Sequence, residues 1–413
     1  MDRYILKEAQ KCLQCKKPKC KEGCPVNTPI NEMIKLLLEG NIIEAGEKLF
    51  SNNPLSLVCS YVCPHELQCE GNCVLGKKNN AVQISAIENY ISDFYLNSVC
   101  AVPAKKLDHS VAIIGSGPAG ITMAFVLAEK GYKVTVFEGH DKIGGVLRYG
   151  IPEFRLPKQI LEKMKDKLGH IGVKIRPNTL IGPYLNIDDL FRDGYEAVFI
   201  GTGVWKPNTL GIKGETLGHV HYAIDYLKNP DVYKLGDRVC IIGAGNVAMD
   251  VARTAIRNGS KEVYVMYRKG EDDISARPIE VEYARLDGVK FEFYKNPIEL
   301  VEEGIKYIEM EEVIDDSGNK RLANVNDSEN IFNVDSVIIS VSQGPRNNII
   351  MTSQGIDTDE NGLVKTDEFG KTSRNGIFAS GDVVTGAKTV VEAVKLSKKV
   401  ADAIDEYIMS KKG

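Results

Sequence analysis

The chain has 413 residues, 43% hydrophobic and 26% charged, which excludes a disordered polymer and leaves room for two or three separate cores. Its 52 Lys and Arg against 56 Asp and Glu give a net charge of -4, which excludes binding to nucleic acid or an anionic membrane through bulk charge. No apolar run is long enough to span a bilayer, and the opening Met1-Asp2-Arg3-Tyr4 lacks the apolar stretch of a signal peptide, so the expected compartment is cytoplasmic.

A cysteine-rich leader comes first. Its first group reads Cys12-x2-Cys15-x4-Cys20-x3-Cys24-Pro25, and its second reads Cys59-x3-Cys63-Pro64-x4-Cys69-x3-Cys73. Eight thiolates suffice for two four-iron clusters, and runs of cysteines two to four apart followed by Pro suit cluster ligation. Zinc is the competitor, although only Cys12 and Cys15 have the knuckle spacing it prefers. Disulfides do not suit a leader fused to a nucleotide-binding enzyme of the reducing cytosol. Between the groups, Thr28 and Pro29 open a predicted helix with Ile30, Met33, Ile34, Leu37 and Leu38 on one face, and Asn41 with Glu44 cap another. Ile84, Ile87, Ile91 and Phe94 predict a third helix, which carries Glu88 back toward the cysteines. Lysines 7, 11, 16, 17, 19 and 21 form a solvated face that offsets cluster charge, or one that docks an acidic partner. Cys100 and Cys240 stand apart, the latter inside an apolar run.

From Ser110 an apolar strand runs into Gly115-Ser-Gly117-Pro-Ala119-Gly120, the G-x-G-x-x-G that opens a dinucleotide cradle. The first glycine permits the turn, the second lets amides approach a pyrophosphate at a helix N-terminus, and the third allows helix and strand to pack closely. The next strand, Lys133 to Phe137, ends in Glu138, placed to bind ribose hydroxyls. A second cradle follows at Gly243-Ala-Gly245-Asn246-Val247-Ala-Met-Asp250. There the position of the acid is Tyr267, followed by Arg268 and Lys269 with Arg277 nearby, cations that favour NADPH while leaving NADH possible.

Two cradles imply two dinucleotides, one of them a flavin. Strands ending in glycine at Gly201 and at Gly344 support this, as does Gly381-Asp382, where a carboxylate after a buried strand can bind the ribityl chain of FAD. Thr389 and Glu392 have capping-box spacing around Val390 at the start of a helix, and the positive end of that helix can stabilise a reduced flavin ring. The stretch from Val289 to Asn333 reads as an antiparallel excursion with a turn at 315–318 and no chemistry. Hydride transfer needs stacking and exclusion of water rather than an acid or base, so no catalytic side chain is nominated. Trp205 reads equally as a flavin cover or as a core or surface aromatic, and His65 as an exposed loop residue. A disulfide reductase would need a C-x-x-C near the flavin, and none follows Cys73.

The eight-cysteine leader, Gly144-Gly-Val-Leu-Arg-Tyr-Gly-Ile-Pro-Glu-Phe-Arg-Leu-Pro-Lys158 and Gly243 to Asp250 resemble the small-subunit family of NADPH-dependent glutamate synthase. That family also takes in the amino-terminal half of dihydropyrimidine dehydrogenase and its separate electron-input subunit. The resemblance implies an α/β protein in which a helical iron-sulfur domain (1–105) precedes two Rossmann-like domains: FAD-binding (106–228 and 336–413) and NAD(P)H-binding (229–335). It implies FAD, NADPH and two [4Fe-4S] clusters, one on Cys24, Cys63, Cys69 and Cys73. The other would use Cys12, Cys15 and Cys20 with a fourth ligand that is either Glu88, standing where the family has an amide, or Cys59. For FAD the matching positions include Val62, Glu138, Gly145, Val146, Arg155, Gly381, Asp382, Thr389 and Val390. For the nicotinamide cofactor they include Gly245, Asn246, Val247, Arg268 and Lys269. The implied partner is a protein electron acceptor, foremost the glutamate synthase large subunit, with a dihydropyrimidine dehydrogenase subunit or a ferredoxin as alternatives.

Overall fold

Ile30, Met33, Ile34 and Leu37 recur at helical spacing, so the helix Ile30–Leu38 presents one apolar stripe, and each of the four is at most 1% exposed. They pack with Ala45 and Leu49 of Ile42–Asn52 and with Ile84, Ile87 and Ile91 of Ile84–Ser98 into one core. Leu38 and Phe94, expected on these faces, are 39% and 38% exposed, because each lies toward the C-terminal end of its helix, past the edge of that core. The helix begins at Ile30 with Pro29 in the cap position, and the Thr28 hydroxyl lies 3.2 Å from Cys24 Sγ instead of capping. Asn41 occupies the next cap position without a side-chain bond.

The computed structural model describes residues 2–78, 80–98, 106–314, 319–346 and 348–411. Cys100 and the expected turn at 315–318 lie outside the described residues. The chain divides into two units: Met1–Arg148, Glu153–Val204 and Pro345–Gly413 form the first, and Tyr149–Pro152 with Trp205–Gly344 the second.

In the first unit the cysteine-rich leader joins a parallel sheet ordered Ile377–Ala379, Ala197–Ile200, Ser110–Ile114, Lys133–Phe137, Lys174–Arg176. The strand order reverses beside Ser110–Ile114, and such a switch point leaves a crevice beyond the carboxyl ends of the strands. The helix Pro118–Glu129 after the first cradle is buried on nearly every side, which explains its apolar run without amphipathic rhythm. The leader is tied to it by Phe50, whose ring stands edge-on to Phe125 at 5.0 Å. Lys398 of the C-terminal helix Val390–Ser410 also donates to the Asn52 carbonyl at 2.6 Å.

The second unit has its own parallel sheet, ordered Val220–Tyr222, Ser336–Ile339, Arg238–Ile242, Glu262–Tyr267, Lys290–Phe293. Cys240 is fully buried within it. Ser336–Ile339 pairs with Arg238–Ile242, so the segment expected to return to the flavin side at 336 is still in this sheet, and 205–228 belongs to this unit as well. An apolar strand run does not say which of two parallel sheets it joins. The antiparallel excursion is present but starts at Lys295 rather than Val289, because Lys290–Phe293 joins the parallel sheet; its strands are Lys295–Val301, Gly304–Ile314, Lys320–Asn324 and Asn330–Asn333.

Candidate functional site

The first cradle is set by backbone contacts too close for side chains. Gly115 sits at φ +96°, and a Cβ there would stand 2.7 Å from the Gly201 carbonyl oxygen, while one on Gly120 would meet the Gly115 oxygen at 1.9 Å. Gly117 differs: a Cβ would find only the Gly145 Cα, at 4.0 Å, so this N-cap of Pro118–Glu129 faces open space. Amides at a helix N-terminus that face open space suit a pyrophosphate. Glu138, 5% exposed, closes the crevice. One of its oxygens accepts from the Ser116 amide at 2.9 Å and from the Ser116 hydroxyl; the other accepts from the His140 amide at 2.8 Å and lies 2.9 Å from His140 Nδ1. Burial alone would raise its pKa, but these hydrogen bonds outweigh it and hold the carboxyl below its ordinary value.

Gly381 brings the C-terminal segment to this cradle, since a Cβ on it would lie 3.0 Å from Ala119 Cβ. Asp382 follows, and burial pushes its carboxyl up to about 6, with the Lys388 amide donating to it at 3.3 Å. The capping box is present: Glu392 accepts from the Thr389 amide at 3.0 Å and from its hydroxyl at 2.6 Å. Val390 heads that helix, and Val146 heads the short helix Val146–Tyr149 after Gly145. Arg155 is half-buried in the same unit, and Val62, also half-buried, directly precedes Cys63. Gly344 and Trp205 are in the second unit; Gly344 pairs with Lys206 in a two-stranded ribbon.

The second cradle repeats the design. A Cβ on Gly243 would meet the Ser340 oxygen at 2.3 Å, whereas one on Gly245 would find only Ser275 Oγ at 3.7 Å. Ala248, fully buried, takes the place of the third glycine. Val247, 37% exposed on the first turn of Asn246–Arg257, leaves apolar surface beside the open N-terminus. Asn246 accepts from the Arg277 amide at 2.9 Å. Arg268 is exposed, and Lys269, 3.9 Å from Asp273, is half-exposed, both just past the strand Glu262–Tyr267.

The cysteines separate into two sets. Cys12, Cys15, Cys20 and Cys73 line one cavity together with Leu13, Lys19, Asn31 and Val74. Cys24, Cys59, Cys63 and Cys69 line another, with Thr28, His65, Glu88 and Val391. The grouping implied by the resemblance is therefore exchanged in two places: Cys73 stands with the first group, and Glu88 faces Cys24, Cys63 and Cys69. Chain order does not show that the turn after Cys69 folds Cys73 back beneath Ile30 and Ile34. Burial raises the pKa of Cys12, with the thiols of Cys15 and Cys73 adding to it, and pushes Cys20 up to about 11. Contact with Cys59, then burial, raises Cys63, and burial, then Glu88, raises Cys69. Thiols raised in this way can ionise together only around a cationic core. Each set of four thiols lines a cavity, an arrangement that suits a polynuclear centre. No helix of the described residues is long and apolar enough to cross a membrane.

Sequence reasoning missed Ser116, His140, Thr28 and Val391. Ser116 is visible only as the residue between two cradle glycines, and nothing in the spacing marks Val391 as a cavity wall.

Comparison with known proteins agrees with this geometry. The family described as pyridine nucleotide-disulphide oxidoreductase matches residues 109–396, and that described as dihydropyrimidine dehydrogenase domain II, 4Fe-4S cluster, matches residues 1–99. The glutamate synthase [NADPH] small chain of Halomonas elongata is 36% identical over 97% of this chain and 90% of its own, and that of Escherichia coli 34% over 97% and 91%. Among solved structures, FprA from Mycobacterium tuberculosis in complex with NADPH shares the fold, with a TM-score of 0.63 at 20% identity over 74% of this chain and 85% of that one. The chain belongs to the pyridine nucleotide-disulphide oxidoreductase family and to the family of glutamate synthase small-subunit homologues.

Proposed function

We propose that this member of the family is an electron-input subunit: it oxidises NADPH and hands the electrons singly to a protein partner, the glutamate synthase large subunit. FAD would supply acceptance of a hydride pair, and two [4Fe-4S] clusters would supply release of one electron at a time.

The first cradle would hold FAD. The open N-terminus at Gly117 receives the pyrophosphate, Glu138 the ribose hydroxyls, and Asp382 the ribityl chain. The second cradle would hold NADPH, with Arg268, Lys269 and Arg277 meeting the 2'-phosphate where Tyr267 replaces an acid. Cys12, Cys15, Cys20 and Cys73 form a complete set of four. In the other set, Cys59 touches Cys63 and would compete with it for one iron, so the buried carboxyl of Glu88 is assigned as the fourth ligand with Cys24, Cys63 and Cys69. No side chain acts as acid or base; the residues bind, orient and exclude water.

One observation carries the reading. Gly381 touches the first cradle at Ala119, Asp382 is bonded to the Lys388 amide, and Val391, three residues on, is 1% exposed in the wall of the Cys24, Cys63 and Cys69 cavity. A continuous stretch of one unit thus links the flavin cradle to a thiol set. Mixing the chain with a glutamate synthase large subunit should give NADPH-dependent glutamate formation. Reduction of a ferredoxin without glutamate formation would reassign the partner.

A further inference from the structure

The two thiol sets differ in their access to solvent. In one set Cys59, Cys63 and Cys69 are buried and only Cys24 is partly exposed, whereas all four of the other, Cys12, Cys15, Cys20 and Cys73, are partly exposed. The mouth of the latter cavity is apolar: Leu13 and Val74, both in its lining, are 62% and 39% exposed. Around that mouth positive charge predominates. Residues 7 to 24 carry six lysines against two carboxylates, in a chain whose net charge is -4. Those two carboxylates, Glu8 and Glu22, are taken up by ion pairs with Lys11 and Lys19. Lys16 and Lys17 stand exposed in the loop between Cys15 and Cys20, and Lys77 is exposed three residues after Val74. An apolar centre with a charged rim is the anatomy of a transient protein interface, and opposite charge on the partner raises the rate of encounter.

Resting on the electron-input reading, we infer that this face is the exit, and that it docks an acceptor protein whose one-electron centre is ringed by carboxylates. In each encounter the acceptor's oxidised centre gains one electron, the chain is left one electron more oxidised, and NADPH replenishes it in pairs. A cluster needs some positive charge nearby, but that role alone predicts no dependence on the acceptor's charge.

The test uses the full holoprotein and a plant-type ferredoxin, an acidic one-electron protein, as probe. Calorimetric affinity for the ferredoxin should fall at least about tenfold as salt rises from about 20 mM to about 300 mM. Lys16→Glu with Lys17→Glu, and separately Lys77→Glu, should each weaken binding at low salt, whereas Lys261→Glu in the second unit should not. Basic cytochrome c should bind the doubly reversed variant better than the parent. Reduction of ferricyanide by NADPH and iron content, measured on the same samples, report on electron input itself. Normal ferricyanide reduction with ferredoxin binding that ignores salt and all three lysines would overturn the docking face alone. Failure of the parent to reduce ferricyanide would overturn the electron-input reading and the exit with it. The salt series needs no substitution, so a variant that misfolds does not decide the outcome.

Discussion

On the proposed reading, Glu138 is one carboxylate that serves both fold and ligand. Its oxygens are held by the Ser116 amide and hydroxyl and by His140, which fixes the turn of the cradle while leaving lone pairs for ribose hydroxyls. Because these bonds depress its pKa below the ordinary 4.5, the folded state favours the ionised form. The resulting stability is fully present above about pH 4.5 and is lost as pH falls through the lower folded value. Glu138→Gln should therefore cost about 1–3 kcal/mol in urea unfolding at pH 7.5, and the gap to the parent should close in acid below the ordinary carboxylate range. A gap that persists unchanged there would mean that shape rather than charge is what the cradle needs. The position of Glu138 directly after the strand Lys133–Phe137 was legible from its spacing to the cradle glycines. Its donors were not, because spacing counts residues without saying which amides turn inward.

At the scale of elements, the three cradle glycines do different work. Gly120 packs helix on strand, with no room for a Cβ 1.9 Å from the Gly115 oxygen, whereas Gly117 has open space and an ordinary φ of -73°. Gly120→Ala should disrupt the fold, while Gly117→Ala should keep a normal unfolding midpoint without flavin and lose flavin on purification. Equal destabilisation of the flavin-free proteins would contradict this division. The leader helices teach a second lesson. Periodicity marked Ile84–Ser98 correctly, but which cysteines Glu88 meets depends on how that helix lies on Ser56–Val62. Ser92 Oγ to Ser56 Oγ at 2.9 Å and Asn89 to Ser60 at 3.0 Å set that docking, and no local pattern encodes it. Glu88→Ala should lose about half the iron while Cys59→Ala retains it. The opposite result would make Cys59 the ligand.

For the whole molecule, both dinucleotide folds and the cysteine leader were legible because each rests on a local signature: glycines at a strand end, or thiols at fixed spacing. The division between them was not. Ser336–Ile339 reads as apolar on both faces, as any central parallel strand does, and only its pairing with Arg238–Ile242 assigns it to the second sheet. Phe50 against Phe125 and Lys398 on Asn52 make the leader and the first sheet one body, so the thiol sets are held in fixed relation to the flavin cradle. On the proposed function, that arrangement takes electrons in pairs and releases them singly. The most direct test is anaerobic purification with iron and sulfide counting, followed by titration with NADPH. About eight irons and eight sulfides per flavin, with the flavin bleached by NADPH, are predicted. Metal-free protein, or a flavin that NADPH leaves oxidised, would contradict it.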